Sequence, residues 1–542
     1  MIKPFLFTLF FWGIMSMAWS QQAYPTNEEI STRLQTVASH PAVSLVSLAK
    51  TAGDQTIWAL KIGTENTDEK PAIAVVGGVE GFRLLSVELA LRFAEQLVNE
   101  HADVLNKTTF YVFPNLSPDA YGQYEAALKY ERSGNSVPVD QDRDGQVSED
   151  PYEDLNGDGY ISLMRVETPI GHYKTHPGHS ALMVRANRKK GEAGNYLVFT
   201  EGIDNDQDGK FNEDGEEGIA FNKNFTYKFP AFQPLAGDYP VSQKETRALV
   251  DYLFEQWNIF AFVTFGPANN LSAPLKYDKK QAQNRVITSM LEKDVEINQM
   301  ISDLYNDVVS EKPFQQTNQG TDGDFFQWAY FHFGRLSFST PGWWVPEVKV
   351  EKEEEAKEKQ DQTENQSEEV NFMRWAEQQG LTDVFVPWEK IDHPDFPDKN
   401  VEVGGIKPFV MYNPPLSVLD SVASQHADFI LKLAEMQPHL EFHNLKVDEL
   451  DGGLTRITVD LFNNAPLPTH SELGERSRWL RKIRVDIKKD KEEILAGNSI
   501  SLINKLGAYE TQTLSWVIKG KGTIEIKAGA AHTGFATLNV KL

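Results

Sequence analysis

Five apolar residues, "AIAVV" from Ala72, run into Gly77-Gly78, and after Val79-Glu80-Gly81-Phe82-Arg83 a long amphipathic segment begins at Leu84. A short run that is apolar throughout reads as a strand buried on both faces, and the glycines turn it into a helix predicted from about Leu84 to Asn99. Residues 109–113 and 259–265 ("IFAFVTF") are runs of the same kind, each near a helical pattern. A further helix is expected from Ser242, where Ser242 and Glu245 have capping-box spacing ahead of "TRALVDYLFEQW". Strands alternating with helices predict an α/β domain around a largely buried sheet. A strand that ends in glycines before a helix presents chemistry at its carboxyl end. Here that corner holds Glu80 and Arg83, an acid and a base able to neutralise each other.

The period changes toward the C-terminus. Leu419, Val422, His426, Phe429, Ile430 and Leu433 mark one last helix with a buried face. From about His439 the runs "ITVDLF" (457–462), "IRVDI" (483–487), "TIEI" and "LNVKL" alternate at period two between turn residues, which predicts a small all-β sandwich. The expected division is an α/β domain over 21–436 and the sandwich over 437–542. Within the first, the charged run "EVKVEKEEEAKEKQDQTENQSEEV" (347–370) has too little apolar surface to offset its ordering entropy. It reads as a disordered, solvated insertion, with a single exposed helix as the alternative.

The first twenty residues have the layout of a signal peptide. Lys3 supplies the positive start, Pro4 to Met17 is apolar, and Ala18-Trp19-Ser20 fits a small-x-small cleavage site. The apolar run falls short of the ~20 residues a membrane span needs, and no later stretch in the chain is apolar enough. The mature chain is therefore expected to be exported, periplasmic or secreted. A net charge of −25 repels nucleic acid and anionic lipid, so neither is an expected partner. The chain has no cysteine, so any cross-link of an exported fold must come from elsewhere, and bound calcium is one source.

Three acidic runs point that way. "DQDRDG" offers Asp140, Asp142 and Asp144 before Gly145; "DLNGDG" offers Asp154, Asn156 and Asp158 before Gly159; "DNDQDG" offers Asp204, Asp206 and Asp208 before Gly209. Side chains at positions 1, 3 and 5 converge on a hard cation when glycine at position 6 allows the sharp turn. The bidentate glutamate usual at position 12 is replaced by Pro151, Arg165 and Gly215. Glu149, Asp150, Glu153, Glu213 and Asp214 stand nearby to complete the shells. Structural calcium is the expectation, and solvated turns are the alternative.

The order of segments across about residues 25–436 resembles the zinc carboxypeptidases, in a bacterial branch with Asp-rich loops and a C-terminal β-sandwich. The resemblance rests on "GGVEGFRLLSVELALRFAE", "FPNLSPDAYGQYE" (113–125), "GIAFNKNF" (218–225), the segment from Ser242 with "FAFVTFG", and "FHFGRLSFSTPGWW" (331–344). It implies a carboxypeptidase-like mixed sheet flanked by helices, and zinc held by a His-x-x-Glu pair and a later His. It also implies a glutamate acting as general base on zinc-bound water. Laid on that pattern, the first His is Glu80, the ligand Glu is Arg83, the second His is Gly266 and the general base is Pro341. The Asn-Arg pair that would hold a substrate carboxylate reads Asn222-Lys223, which keeps a charge but loses the bidentate fork. These substitutions make zinc doubtful. They point to a non-catalytic homologue that binds peptides or a protein partner. An active carboxypeptidase with a rebuilt site, and a structural or surface-interaction protein with a closed cleft, are the alternatives.

No other constellation replaces the lost one. His172, His176 and His179 in "HYKTHPGH" could hold a transition metal, but a Gly/Pro-punctuated loop with surface histidines is the plainer reading. His426 sits on the apolar face of its helix and reads as a satisfied core residue. Thiol chemistry is excluded, and no Gly-x-Ser-x-Gly elbow follows a strand.

Overall fold

The computed structural model describes residues 23–140, 145–207, 209–212, 215, 218–310, 317–348 and 367–542. The expected signal peptide (1–20), Asp142, Asp144, Asp208, Glu213, Asp214 and residues 349–366 of the charged insertion lie outside the described residues. Among the described residues no helix is long and apolar enough to cross a membrane.

A six-stranded mixed sheet forms the centre of the first part. Its order is Val43–Lys50, Thr56–Ile62, Thr109–Phe113, Ala72–Val76, Ile259–Phe265, Leu336–Thr340. The last four strands run parallel, and the first two are antiparallel additions. Side chains alternate between two cores, as the period of a strand requires. Ile73 and Val75 join the larger cluster with the helices Leu84–Glu100, Glu292–Val308 and Leu416–Glu435. Ala72, Ala74 and Val76 join the other with Lys244–Glu255 and Phe325–Phe331. The residues picked out on the Leu416–Glu435 helix, His426 included, are all buried.

Gly77 shows why the strand must end in glycine. A Cβ there would lie 2.3 Å from Ser86 O and 2.7 Å from Pro114 O, so the helix start packs directly on the strand end. Gly78 follows at φ +60°, a left-handed turn that glycine adopts without strain.

The capping box expected at Ser242 and Glu245 does not form. The helix begins at Lys244 behind Gln243, which makes no side-chain cap. Asn224 intervenes from outside the helix: its Nδ2 donates to Ser242 Oγ at 2.9 Å, and its Oδ1 accepts from Gln243 N and Thr246 Oγ1. Glu245 instead accepts from Asn135 Nδ2.

A second six-stranded sheet, antiparallel throughout, was not foreseen from the sequence. Its order is Phe385–Ile391, Val401–Ile406, Leu163–Glu167, Tyr196–Thr200, Tyr173–His176, His179–Arg185. The stretch read as a histidine loop is thus a hairpin in which His176 pairs with His179. The end of the charged insertion is also corrected. Residues from Ser367 open the helix Ser367–Gln378, and Val370, Phe372, Met373, Trp375 and Ala376 are buried, which gives this segment the apolar surface that its first residues lack.

The C-terminal part is the expected sandwich of two four-stranded antiparallel sheets. One orders Leu440–Leu450, Leu454–Asn463, Thr511–Lys519 and Ile494–Ala496; the other Ile500–Ile503, Ile483–Ile487, Thr523–Ala530 and Gly534–Lys541. Ile457, Val459 and Leu461 face Ile483, Val485 and Ile487 across its core. The sandwich docks on the α/β part. Buried Asp294 accepts from Glu472 N (2.7 Å) and Leu473 N (3.1 Å), and Arg481 lies 3.9 Å from the Trp257 ring.

Candidate functional site

The carboxyl ends of three neighbouring parallel strands meet at one corner. Register places Val76 beside Thr264, and Thr340 beside Phe265. Gly266 N donates to Thr340 O at 3.0 Å, so Gly266 and Pro341 are held side by side. A Cβ on Gly266 would lie 2.8 Å from Val79 Cγ2, which brings the turn carrying Glu80 into the same place.

Glu80 and Arg83 face each other across that turn. Arg83 Nε donates to Glu80 Oε2 at 2.7 Å, with side chains only 13% and 20% exposed for Arg83 and Glu80 respectively. The guanidinium also stacks 4.7 Å from the Tyr412 ring and 5.5 Å from Phe82. Asn413 secures the helix start from the other side, accepting from Leu85 N and donating to Phe82 O.

Asn222 lies in the short 3-10 turn Phe221–Lys223. Its Oδ1 accepts from Phe325 N at 3.1 Å, at the start of Phe325–Phe331. Asp324 caps that helix, accepting from Gln327 N and Thr321 N. Burial pushes the Asp324 carboxyl up to about 7, against its hydrogen bonds, and the charge of Glu80 adds to the rise. Lys223 follows Asn222 in the same 3-10 turn. It makes no ion pair among the described residues.

A buried relay fixes the strand behind Pro341. His426 Nδ1 is 2.7 Å from Val422 O, a contact in which the ring must donate, so Nε2 accepts from Tyr305 OH at 3.0 Å. Tyr305 then accepts from Thr340 Oγ1 at 3.0 Å, and Gly342 N donates to Thr340 Oγ1. Burial lowers the His426 imidazole to about 4.

Beyond Tyr412 a cleft of about 350 Å³ opens between the second sheet and the segments around Glu131 and Tyr412, both of which line it. Glu131 accepts from Phe409 N at 2.7 Å, and burial raises its carboxyl despite Arg83 nearby. Neither residue, nor Asp324, was singled out from sequence. The partner of Glu131, Phe409 N, lies far away along the chain, and Asp324 is a local helix cap whose nearness to Glu80 only the fold reveals.

In the described parts of the acidic runs, backbone N–H groups donate to the acidic side chains. Gly145 N donates to Asp140 Oδ2 and Gly209 N to Asp204 Oδ2, both at 3.0 Å. Asp154 accepts from Gly157, Asp158 and Gly159 N, and Asn156 Oδ1 from Asp158 N. Asp150, between the first and second runs, accepts from Asn205 N and Asn212 N at the third. Asp206 lies partly buried in the third run. The histidines of the hairpin are engaged separately: His176 Nδ1 accepts from Gly178 N, and His179 Nε2 lies 3.2 Å from Glu377 Oε1. His172 stays exposed. Among the described residues no group of three His, Cys, Asp or Glu is placed to hold a metal ion.

Two families match the chain: "zinc carboxypeptidase" over residues 30–342, and "domain of unknown function (DUF8731)" over residues 439–541. No curated protein matches it. Similar solved structures include thrombin activatable fibrinolysis inhibitor (TAFI), at 12% identity over 76% of this chain and 73% of that one, TM-score 0.38. Carboxypeptidase A from Helicoverpa armigera is 14% identical over 59% and 64%, TM-score 0.34. A metallo-carboxypeptidase from Burkholderia cenocepacia is 12% identical over 58% of each chain, TM-score 0.30. The first family match covers more than half of the chain, and on it the protein belongs to the zinc carboxypeptidase family.

Proposed function

We propose that this chain is a non-catalytic member of its family, exported through a cleaved signal peptide, that binds peptides or a protein partner. The observation that carries this reading is the Glu80–Arg83 ion pair at 2.7 Å, at the corner where the resemblance puts the paired zinc ligands. Zinc in a hydrolase needs three protein ligands and one open position. Glu80 is engaged by a guanidinium, Arg83 has no lone pair to offer, and Gly266 has no side chain. Pro341 cannot serve as a base. The donor set does not fit zinc, and no hydrolytic step is derived through it. Asn222 spends its carbonyl oxygen on Phe325 N, which leaves its amide and the Lys223 ammonium as the polar groups for a bound chain end. The Asp-rich turns support structural calcium in the same reading, because each carries glycine where a cation-binding loop must bend.

The test is binding of a peptide library in paired forms, with free and with amidated C-termini, to the full chain. Retention of free-carboxylate peptides without shortening supports the reading. Shortened peptides, or no retention of any peptide or partner, go against it; the latter favours a structural role.

A further inference from the structure

The sandwich meets the α/β part across a face that buries basic side chains without an acid to match. The turn Ala531–Thr533 packs on the strand Ile259–Phe265, and Ser471 Oγ donates to Gly334 O at 2.9 Å. Arg335, fully buried beside these contacts, donates to Ile259 O and Phe333 O and has no ion pair among the described residues. From the sandwich come His470 and His532, both buried, with their rings 4.7 Å apart and edge to face. His470 Nε2 lies 3.0 Å from Arg481 O, where it must donate, so Nδ1 is left as an acceptor 3.0 Å from Thr469 Oγ1. His532 Nε2 is buried with no hydrogen-bond partner among the described residues. Burial lowers the His470 imidazole to about 4 and holds His532 well below its ordinary value, and the charge of Arg335 disfavours a proton on either ring. Glu475 opposes this at His470, but its carboxylate is held at 2.5 Å by Lys505, which pushes the other way.

From this arrangement we infer that His470 and His532 form an acid-opened latch between the two parts of the chain: neutral rings let the sandwich seat against Arg335, and protonated rings drive it off. Each part keeps an apolar core of its own, so parting breaks neither. The chain crosses between them once, through residues 436–439, and a cleft of about 600 Å³ lined by Lys70, Asn106, Gln437 and Phe535 already divides them beside that link. Rotation there opens the histidine face. In the parted form both rings meet water and take up protons near their ordinary value of about 6.5. The parted form thus binds more protons below that value, and the contribution of the rings to docking, complete above about pH 6.5, is lost as pH falls toward 4. Asp294, which holds the same segment of the sandwich, works in the opposite sense, because burial raises its carboxyl in the docked form.

The experiment follows the full chain from pH 7.5 to pH 4 by small-angle scattering and circular dichroism. The expected result is a radius of gyration that rises by roughly a tenth as the two bodies part, with the circular dichroism kept and the compact form recovered on return to pH 7.5. His532→Phe keeps a buried ring and loses the proton site, so its opening midpoint should fall by about half a pH unit or more. Where that variant does not fold, His470→Gln, whose amide can still donate to Arg481 O, takes its place with the same expected shift. A wild type that stays compact down to pH 4, or that loses its circular dichroism together with its compactness, overturns the inference without any variant. A variant that opens at the wild-type midpoint also overturns it, since opening would then come from other groups.

Discussion

At the residue scale, the corner is held by a charge pair, Glu80 with Arg83. An isolated carboxylate at position 80 would lack a counter-charge in a half-buried place, and Arg83 supplies it while covering Tyr412. Removing the guanidinium in Arg83→Ala therefore leaves Glu80 unpaired and uncovers a ring, at a cost of about 1–2 kcal/mol. A lower melting temperature checks this, and Glu80→Gln/Arg83→Met together should cost less than Arg83→Ala alone. Rebuilding the family's ligands meets a second obstacle, invisible in the sequence. Glu80→His, Arg83→Glu and Gly266→His put a Cβ 2.8 Å from Val79 Cγ2, so that variant should bind zinc only weakly until Val79→Ala is added. Zinc titration of the two variants gives the comparison, and hydrolysis is expected to stay absent until Pro341→Glu is included.

At the element scale, what was legible followed from strong local pattern. The strands 72–76, 109–113 and 259–265, the helix after Gly78 and the alternating strands of the sandwich are buried enough to write their period into the chain. The second sheet was not legible, because strands such as Tyr173–His176 and Tyr196–Thr200 are half-exposed, and because Leu163–Glu167 is paired by the distant strands Tyr196–Thr200 and Val401–Ile406. The Ser242 box failed for a related reason: Asn224 offers the helix start a partner from outside it. The corner residues Glu80, Arg83, Gly266 and Pro341 were readable only as departures from a family pattern. The Leu416–Glu435 helix carries a pH-dependent prediction. His426 is held neutral down to about 4, whereas in the unfolded chain it takes up a proton near its ordinary value of about 6.5. The unfolded state thus binds more protons in between, and the contribution of His426, complete above about pH 6.5, is lost as pH falls toward 4. The stability gap between wild type and His426→Gln should shrink across that window; a constant gap contradicts the assignment. The Asp-rich turns carry another. If calcium holds them, EGTA lowers the melting temperature by mass action, and an unchanged midpoint with no co-purifying calcium removes the cation from the account.

At the scale of the whole molecule, the sandwich is part of the same folded body as the sheet that carries the corner. Asp294 joins them by accepting from two backbone N–H groups at the start of the helix Glu472–Ser477 and from Tyr330 OH at 2.7 Å. Asp294→Ala strands these buried donors, and a loss of roughly 2 kcal/mol or more is expected, read as a lower melting temperature. Arg335, fully buried beside this junction, donates to Ile259 O and Phe333 O, so the docked sandwich closes over the end of the central sheet opposite the corner residues. The corner is thus one end of a rigid sheet whose other end is occupied. The most direct test of its proposed loss of chemistry is the zinc content of the full chain purified without chelators, with an assay for release of C-terminal residues from peptides. The account predicts far less than one zinc per chain and no release with or without chelator. One zinc per chain, with release abolished by chelator and restored by zinc, would contradict it.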